Sequence, residues 1–222
     1  MRSGPPFPAA ARRRGRKIAK VTIGPVAMGG RPDQVRAPED WLTPVERERA
    51  ARFAFAADRA AFVAAHLLVR QCAAAALGAR PEELTLVQHC DVHGPGHGRP
   101  SIEQAPSLGV SLSHTRGYVC AAAGDGRVGV DAERVPAGPF DAALAEIALT
   151  PAELRRVTGN DALIRLWARK EALIKRGELA LDRLRAAEID WTGRHVLEWT
   201  AEGDVVVAVV TDMPCRRLPL PS

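Results

Sequence analysis

Several features that mark specialised classes of protein are missing from this chain of 222 residues. The four cysteines form no CxxC pair and no dense framework, which excludes a disulfide scaffold and favours a reduced, cytoplasmic setting. The longest purely apolar runs, such as VVVAVV at 205–210, have the length of a strand, so no membrane partner is expected. No G-x-S-x-G elbow is present, which disfavours a serine nucleophile.

Acidic residues are also missing from residues 1–32, where ARRRGRK at 11–17 forms a basic cluster. This segment has no apolar h-region, which excludes a secretory signal. A solvated, flexible tail over residues 1–20 is favoured over a nucleic-acid arm or a transit peptide, because chain ends are commonly loose. We therefore expect no nucleic-acid partner.

Strand and helix patterns follow one another without strict βαβ alternation, which predicts an α+β fold. The expected helices cover residues 43–55, 58–77, 140–158 and 161–176. The expected strands cover residues 21–30, 84–90, 109–114, 118–124, 127–135, 188–191 and 205–211, and residues 93–100 read as a glycine-rich loop.

The segment LWARKEALIK at 166–175 carries charges where an amphipathic helix should be apolar. At 100° per residue, Lys170 falls within the apolar arc that contains Leu163 and Trp167. Its ammonium must therefore reach a cleft past Trp167 or pair with a buried acid. Glu171 and Lys175 lie side by side along the edge of the arc, which indicates that this edge faces a site.

The segment VGVDAE at 128–133 supplies two further acids. The strand period of two directs Asp131 and Glu133 to one face and the apolar residues to the other. Two such carboxylates form half of a site for a hard cation such as Mg²⁺, and Glu171 would add a third. Magnesium sites of this kind are completed by phosphate oxygens and water, which favours a phosphate-containing substrate.

In chain order, the segments RFAFAADRAAFVAAHLLVR, HGRPSI, SLSHT, VGVDAE, LTPAEL and LWARKEALIK resemble the 4′-phosphopantetheinyl transferases of the larger, single-chain, surfactin-synthetase-activating type. The resemblance covers about residues 43–195. It implies two similar α+β halves packed about a pseudo-twofold axis, with coenzyme A in the cleft between them. The halves would be residues 21–125 and 126–222, in a monomer.

The resemblance also implies a metal site and its chemistry. Asp131, Glu133 and Glu171 match the family's Mg²⁺-binding carboxylates, and Glu171 is also a candidate general base, acting directly or through a metal-bound water. Lys170 and Lys175 match the lysines of the W-x-x-K-E-A-x-x-K motif and are expected to bind coenzyme A. Lys175 is expected near the pyrophosphate, where it would act with Asp131 and Glu171 in catalysis.

A second group of residues is implied to bind the phosphates of coenzyme A. Ser113 and His114 match the family's phosphate-binding Ser-His pair. Arg99 stands where relatives often have a lysine, near the 3′-phosphate or adenine end. Arg49 and Arg59 are expected to add to the same phosphate clamp.

The implied activity is Mg²⁺-dependent transfer of 4′-phosphopantetheine from coenzyme A to a serine of an apo acyl or peptidyl carrier protein, with release of adenosine 3′,5′-bisphosphate. The carrier would serve fatty-acid, polyketide or nonribosomal-peptide synthesis. The alternative is a non-catalytic protein that binds coenzyme A or a nucleotide. That alternative leaves the three acids unexplained, since carboxylates repel phosphate unless a metal intervenes.

Overall fold

A computed structural model of the chain describes residues 24–90 and 94–222. The predicted basic tail, residues 1–20, lies outside the described residues. The structure has five α-helices in the part of the chain that it describes, namely α1 (Pro44–Ala51), α2 (Ala56–Leu77), α3 (Ala142–Ala148), α4 (Pro151–Leu154) and α5 (Asn160–Arg176).

Nine strands lie before, between and after these helices within the same described ranges. They are β1 (Val26–Gly30), β2 (Leu86–Cys90), β3 (Gly94–Ile102), β4 (Leu108–Thr115), β5 (Tyr118–Asp125), β6 (Val128–Arg134), β7 (His195–Ala201), β8 (Val205–Thr211) and β9 (Arg216–Arg217). The predicted α+β class is therefore confirmed.

The strands form three sheets, of which two make the centre of the molecule. One sheet has the order β4-β5-β1-β9 and the other β6-β8-β7, while β2 and β3 form a separate hairpin. Apolar side chains from β1 and β5 meet those of β6 and β8 between the two large sheets. Helix α2 covers the outer face of the first sheet and α5 the outer face of the second.

Helix α2 is almost entirely buried, as its apolar sequence requires. It is long and apolar enough to cross a membrane by length and composition, but most of its surface is buried inside the protein, as in a core helix. Gly78 ends it in the left-handed conformation with φ of 63°. This conformation costs a glycine little because it has no Cβ.

The second sheet explains the continuous run VVVAVVT in β8. Val205, Val207 and Val209 face the first sheet, whereas Val206 and Val210 contact α5. A strand covered on both faces is apolar at every position rather than at alternate ones. The predicted strand 205–211 is thus confirmed, and its burial on both faces places α5 directly over the sheet.

In strand β6, buried apolar residues alternate with the residues of the opposite face, as the sequence VGVDAE predicted. Val128, Val130 and Ala132 are buried between the sheets. On the opposite face, a Cβ at residue 129 would lie 1.9 Å from the carbonyl oxygen of Ala172 on α5. Only glycine at this position allows α5 to approach β6 so closely, and the approach brings α5 next to Asp131.

Two local predictions were wrong. Residues 94–102, expected as part of a glycine-rich loop, form strand β3, because they pair with β2 in an antiparallel hairpin that local composition does not reveal. Residues 188–191, expected as a strand, form none, and the last sheet instead uses β7, which was not predicted. The predicted pseudo-twofold relation between halves 21–125 and 126–222 stays a prediction.

Candidate active site

The side chain of Asp131 lies where β4, β6 and α5 meet. Its Oδ1 accepts hydrogen bonds from Ser113 Oγ at 2.8 Å and from Lys175 Nζ at 2.7 Å. Its Oδ2 is buried and has no hydrogen-bond partner. Buried carboxylate oxygens are normally paired, because leaving one unpaired costs free energy. The unpaired oxygen therefore marks a position where a ligand is expected.

Two further carboxylates, Glu133 and Glu171, lie close enough to Asp131 for its negative charge to affect their pKa values. Burial, followed by the negative charge of Asp131, raises the pKa of Glu133, although the indole of Trp167 donates to Glu133 at 3.2 Å. Burial and then Asp131 likewise raise the pKa of Glu171, against the opposing effect of Lys175. Mutual repulsion among acids is the expected state of a cation site before the cation binds.

Next to these acids is a cavity of about 330 Å³. Its lining combines four cationic or titratable groups with polar, aromatic and aliphatic side chains: Arg49, Phe62, His66, Gln88, Leu112, Ser113, His114 and Lys175. Burial, followed by the charge of Lys175, lowers the pKa of His114. The cavity therefore presents positive charge and hydrogen-bond donors beside the carboxylates.

The far wall of the cavity is an ordered set of contacts around Arg49. Its guanidinium donates to the carbonyl oxygen of Gly96 and lies 5.1 Å from the ring centroid of Phe62. It also donates to Gln88 at 3.4 Å, and Gln88 in turn contacts His66 Nε2 at 3.3 Å. Arg49 thus links α1 to the β2–β3 hairpin while its charge remains at the cavity.

Comparison with known proteins identifies the arrangement. Residues 127–207, which contain β6 and α5, match the model of the 4′-phosphopantetheinyl transferase superfamily. The chain is also 26% identical over 165 residues to a 4′-phosphopantetheinyl transferase, psf-1, of Bacillus pumilus, covering 72% of this chain and 67% of that one. The chain is a transferase. The predicted resemblance and the prediction of an enzyme are confirmed.

In this transferase, several of the residues predicted from the sequence come together at one place. Those at the cavity or beside it are Arg49, Ser113, His114, Asp131, Glu133, Glu171 and Lys175. They come from α1, β4, β6 and α5, so the site exists only once the two large sheets have met. The ligands and roles given to these residues stay predictions.

Arg59 and Arg99 lie outside the cavity lining. Arg59, near the start of α2, is exposed and its guanidinium pairs with Glu39 at 2.6 Å. Arg99, on the β2–β3 hairpin, lies over the end of α5, where a Cβ at Gly177 would overlap its guanidinium. Gly177 thus serves both the left-handed turn after α5 and the approach of Arg99. Their contacts with coenzyme A stay predictions.

Lys170 requires a correction, because it was expected to bind coenzyme A. Its side chain is fully buried, and its ammonium donates to the carbonyl of Ala148, to Glu153 Oε2 and to the carbonyl of Leu184. All three N–H groups are therefore used within the protein. Of the two possibilities raised by its position in the apolar arc, pairing with an acid is the one observed.

The three predicted metal ligands are neighbours but not a completed set. Within residues 24–90 and 94–222, no three His, Cys, Asp or Glu side chains are close enough together to hold an ion. The unpaired oxygen of Asp131 and the raised pKa values of Glu133 and Glu171 nevertheless fit an Mg²⁺ ion that takes some of its ligands from phosphate. The metal assignment stays a prediction.

Four lining residues were not predicted as site residues, namely Phe62, His66, Gln88 and Leu112. On the helical wheel, Phe62 and His66 belong to the buried stripe of α2, which looks like ordinary core. Gln88 lies on a strand with no motif. Only the long-range contact between α2 and the β2–β3 hairpin gives these side chains a cavity to line.

Proposed function

We propose that this transferase moves 4′-phosphopantetheine from coenzyme A to a serine of an apo acyl or peptidyl carrier protein. The serine oxygen forms a bond to the β-phosphorus of coenzyme A. The bond from that phosphorus to the oxygen bridging to the α-phosphate breaks, and adenosine 3′,5′-bisphosphate leaves. The reaction requires Mg²⁺ and no covalent enzyme intermediate.

One observation carries this proposal: a buried carboxylate with an unpaired oxygen is bonded to two residues that line a cationic cavity. Lys175 donates to Asp131 and also lines the cavity, so the acidic side chains lie directly beside the cationic lining. A pyrophosphate bound there would have its charge matched by cations on one side and need a metal on the other. A site for phosphate alone has no use for the acids.

The residues that would hold Mg²⁺ are Asp131, Glu133 and Glu171, with phosphate oxygens completing the set. When bound, the ion would supply neutralisation of the charge that builds on the pyrophosphate oxygens.

The protein's own groups account for the remaining requirements of the reaction. Lys175 stabilises negative charge on the pyrophosphate as the bond breaks. Ser113 and His114 hold phosphate oxygens, while Arg49 holds a part of coenzyme A that does not react. Glu171 accepts the serine proton, and its raised pKa makes it a stronger base than an ordinary glutamate.

We further propose that the two large sheets, each with its long helix, are the cores of two halves that join near residue 125 and share a pseudo-twofold axis. Support comes from the sharp turn between β5 and β6 and from the matching placement of α2 and α5. The protein would act as a cytoplasmic monomer, since residues of both halves of one chain line the cavity.

The test is mass spectrometry of an apo carrier protein incubated with the enzyme, coenzyme A and Mg²⁺. We expect a gain equal to one phosphopantetheine group, and its loss when the carrier serine is changed to alanine. A panel of fatty-acid, polyketide and nonribosomal-peptide carriers identifies the preferred class. Coenzyme A binding by calorimetry with no mass gain on any carrier would instead favour the non-catalytic binding protein.

A further inference from the structure

The ammonium of Lys170 joins three separate segments to α5. It donates to the carbonyl of Ala148 at the end of α3 at 2.7 Å and to Glu153 of α4 at 2.5 Å. It also donates to the carbonyl of Leu184, beyond α5, at 3.2 Å. A fully buried ammonium is unfavourable unless its donors are all used. The three acceptors meet that requirement and attach α5 to its surroundings by directional bonds.

The first half of the chain contains the same arrangement around Arg70 of α2. The Arg70 guanidinium is fully buried and donates to both carboxylate oxygens of Glu46, at 2.9 and 2.7 Å. It also donates to the carbonyl of Leu84 at 3.2 Å and to that of His66 at 2.7 Å. Each long helix therefore carries a fully buried cation that bonds the glutamate of a preceding short helix and a carbonyl beyond its own helix.

The two arrangements also correspond in sequence. Glu46 and Glu153 occupy the third position of capping boxes that start at Thr43 and Thr150, in the segments LTPVE at 42–46 and LTPAE at 149–153. The carbonyl acceptor lies 14 residues after the cation in both cases, from 70 to 84 and from 170 to 184. This is an internal repeat of a structural device, spread over positions that are far apart in the chain.

We propose that Lys170 is a positioning residue, which fixes the rotation and axial position of α5 so that Glu171 and Lys175 face Asp131. This proposal deepens the proposed function and rests on it. Other side chains of α5 also make directional bonds. Asn160 and Arg176 donate to backbone carbonyls near the two ends of the helix, and Trp167 and Arg169 donate to carboxylates on β6 and β7. Lys170 is fully buried and bonds three segments at once, directly before Glu171 in the chain.

Positioning matters here because the two functional residues of α5 act together with a third on another element. Lys175 Nζ contacts Asp131 Oδ1 at 2.7 Å across the gap between α5 and β6. A displacement of about 1 Å at a reacting group can cost about 10²-fold in rate. Losing the directional bonds of Lys170 should therefore damage catalysis beyond its effect on folding.

The repeat supplies a matched control. Arg70→Met removes the equivalent cation from α2, which carries none of the acids of the site, and Lys170→Met removes it from α5. Both should lower Tm, because each leaves a glutamate and backbone carbonyls without their donor. Only Lys170→Met should also reduce kcat by about 10-fold or more and raise the Mg²⁺ concentration that gives half-maximal rate. Assays are run well below the Tm of each variant.

Conservative variants keep the test informative if either methionine variant fails to fold. Lys170→Arg places in α5 the residue that fills the same role in α2, so kcat and the Mg²⁺ midpoint should return most of the way to wild type. Glu153→Gln and Glu46→Gln weaken the bonds of Lys170 and Arg70 without removing either cation. We expect a shifted Mg²⁺ midpoint for Glu153→Gln and none for Glu46→Gln.

Hydrogen exchange provides a readout that does not depend on activity. Amides of residues 171–175 should exchange faster in Lys170→Met than in Arg70→Met, measured relative to the amides of α2. The proposal is overturned if Lys170→Met lowers Tm but leaves kcat, the Mg²⁺ midpoint and this exchange unchanged. It is also overturned if Arg70→Met shifts the Mg²⁺ midpoint equally. If the wild-type protein modifies no carrier, the proposed function fails, and the exchange comparison still decides the role of Lys170.

Discussion

Helices α2 and α5 each pack against one large sheet, but they present different side chains to the cavity. Each covers one large sheet, ends at a left-handed glycine and carries one fully buried cation. Helix α2 lends the cavity Phe62 and His66 from its buried stripe. Helix α5 presents Lys175, with Glu171 beside it, from the edge of its buried stripe. The comparison teaches that both large sheets are packed against a helix in the same way, whereas the acids of the site belong to only one of these two units.

The largest effect should come from β6, the strand that α5 covers. Asp131→Ala should reduce turnover by at least about 10²-fold, because the substitution removes a carboxylate needed to hold Mg²⁺ against the pyrophosphate. The fold should survive, since Lys175 can turn to solvent. Steady-state assays with an apo carrier measure the effect. The control is Asp204→Ala, in the turn between β7 and β8, where Asp204 pairs with Arg134 at the end of β6. Near-normal turnover in Asp131→Ala would remove the basis for the metal assignment.

Glu171→Gln should separate function from stability on α5. Turnover should fall about 10²-fold, because the substitution removes the proposed base, which is also a proposed metal ligand. The raised pKa of Glu171 means that the folded state favours its neutral form, so its contribution to stability is present at low pH and lost as pH rises through the folded pKa. Glutamine stays neutral at every pH, and Tm at pH 7 should not decrease.

The same shift predicts the pH dependence of the wild-type enzyme. As a proposed Mg²⁺ ligand, Glu171 must lose its proton before the ion binds, so the Mg²⁺ concentration that gives half-maximal rate should increase as pH falls through its raised pKa. Mg²⁺ titrations of the rate at several pH values measure this dependence. A melting temperature for Glu171→Gln well below wild type at pH 7 would contradict the picture of repelling acids.

Lys175→Met should reduce turnover by about 10-fold to 10²-fold, since the ammonium stabilises charge that develops in the transition state. Stability should change little, because the Lys175 side chain is 29% exposed and its carboxylate partner is part of an acidic cluster. The matched control is Arg169→Met on the same helix, which loses only the pair with Glu198. Equal turnover in the two variants would mean that Lys175 is an ordinary helix lysine.

The smallest expected effect tests the wall of the cavity away from the acids. Arg49→Ala should raise KM for coenzyme A about 10-fold with a smaller change in kcat, because it removes charge-assisted bonds to a part of the ligand that does not react. Calorimetric titration of coenzyme A gives the affinity directly. Arg52→Ala, which loses only an exposed pair with Glu48, should bind like wild type. Unchanged affinity in Arg49→Ala would exclude it from the phosphate clamp.

Local sequence patterns predicted the helices and most strands because caps and periods are local. The Thr-Pro signal at residues 43 and 44 marks the start of α1, and glycine marks the ends of α2 and α5. The strand β3 was missed because its three left-handed glycines look like a loop, and only pairing with β2 makes them a strand. Pairing of this kind is decided by distant residues.

The sequence by itself determined that Asp131 and Glu133 share one face of β6, and that Glu171 and Lys175 share one edge of α5, because strand and helix periods follow from backbone geometry. Its motifs, in their order along the chain, also predicted the resemblance to the 4′-phosphopantetheinyl transferases. Only the tertiary structure decided which lysine of the motif reaches the cavity. The ammonium of Lys170 bonds two carbonyls and a glutamate from distant segments. A buried charge is stable only where such partners surround it, and the fold decides where they are.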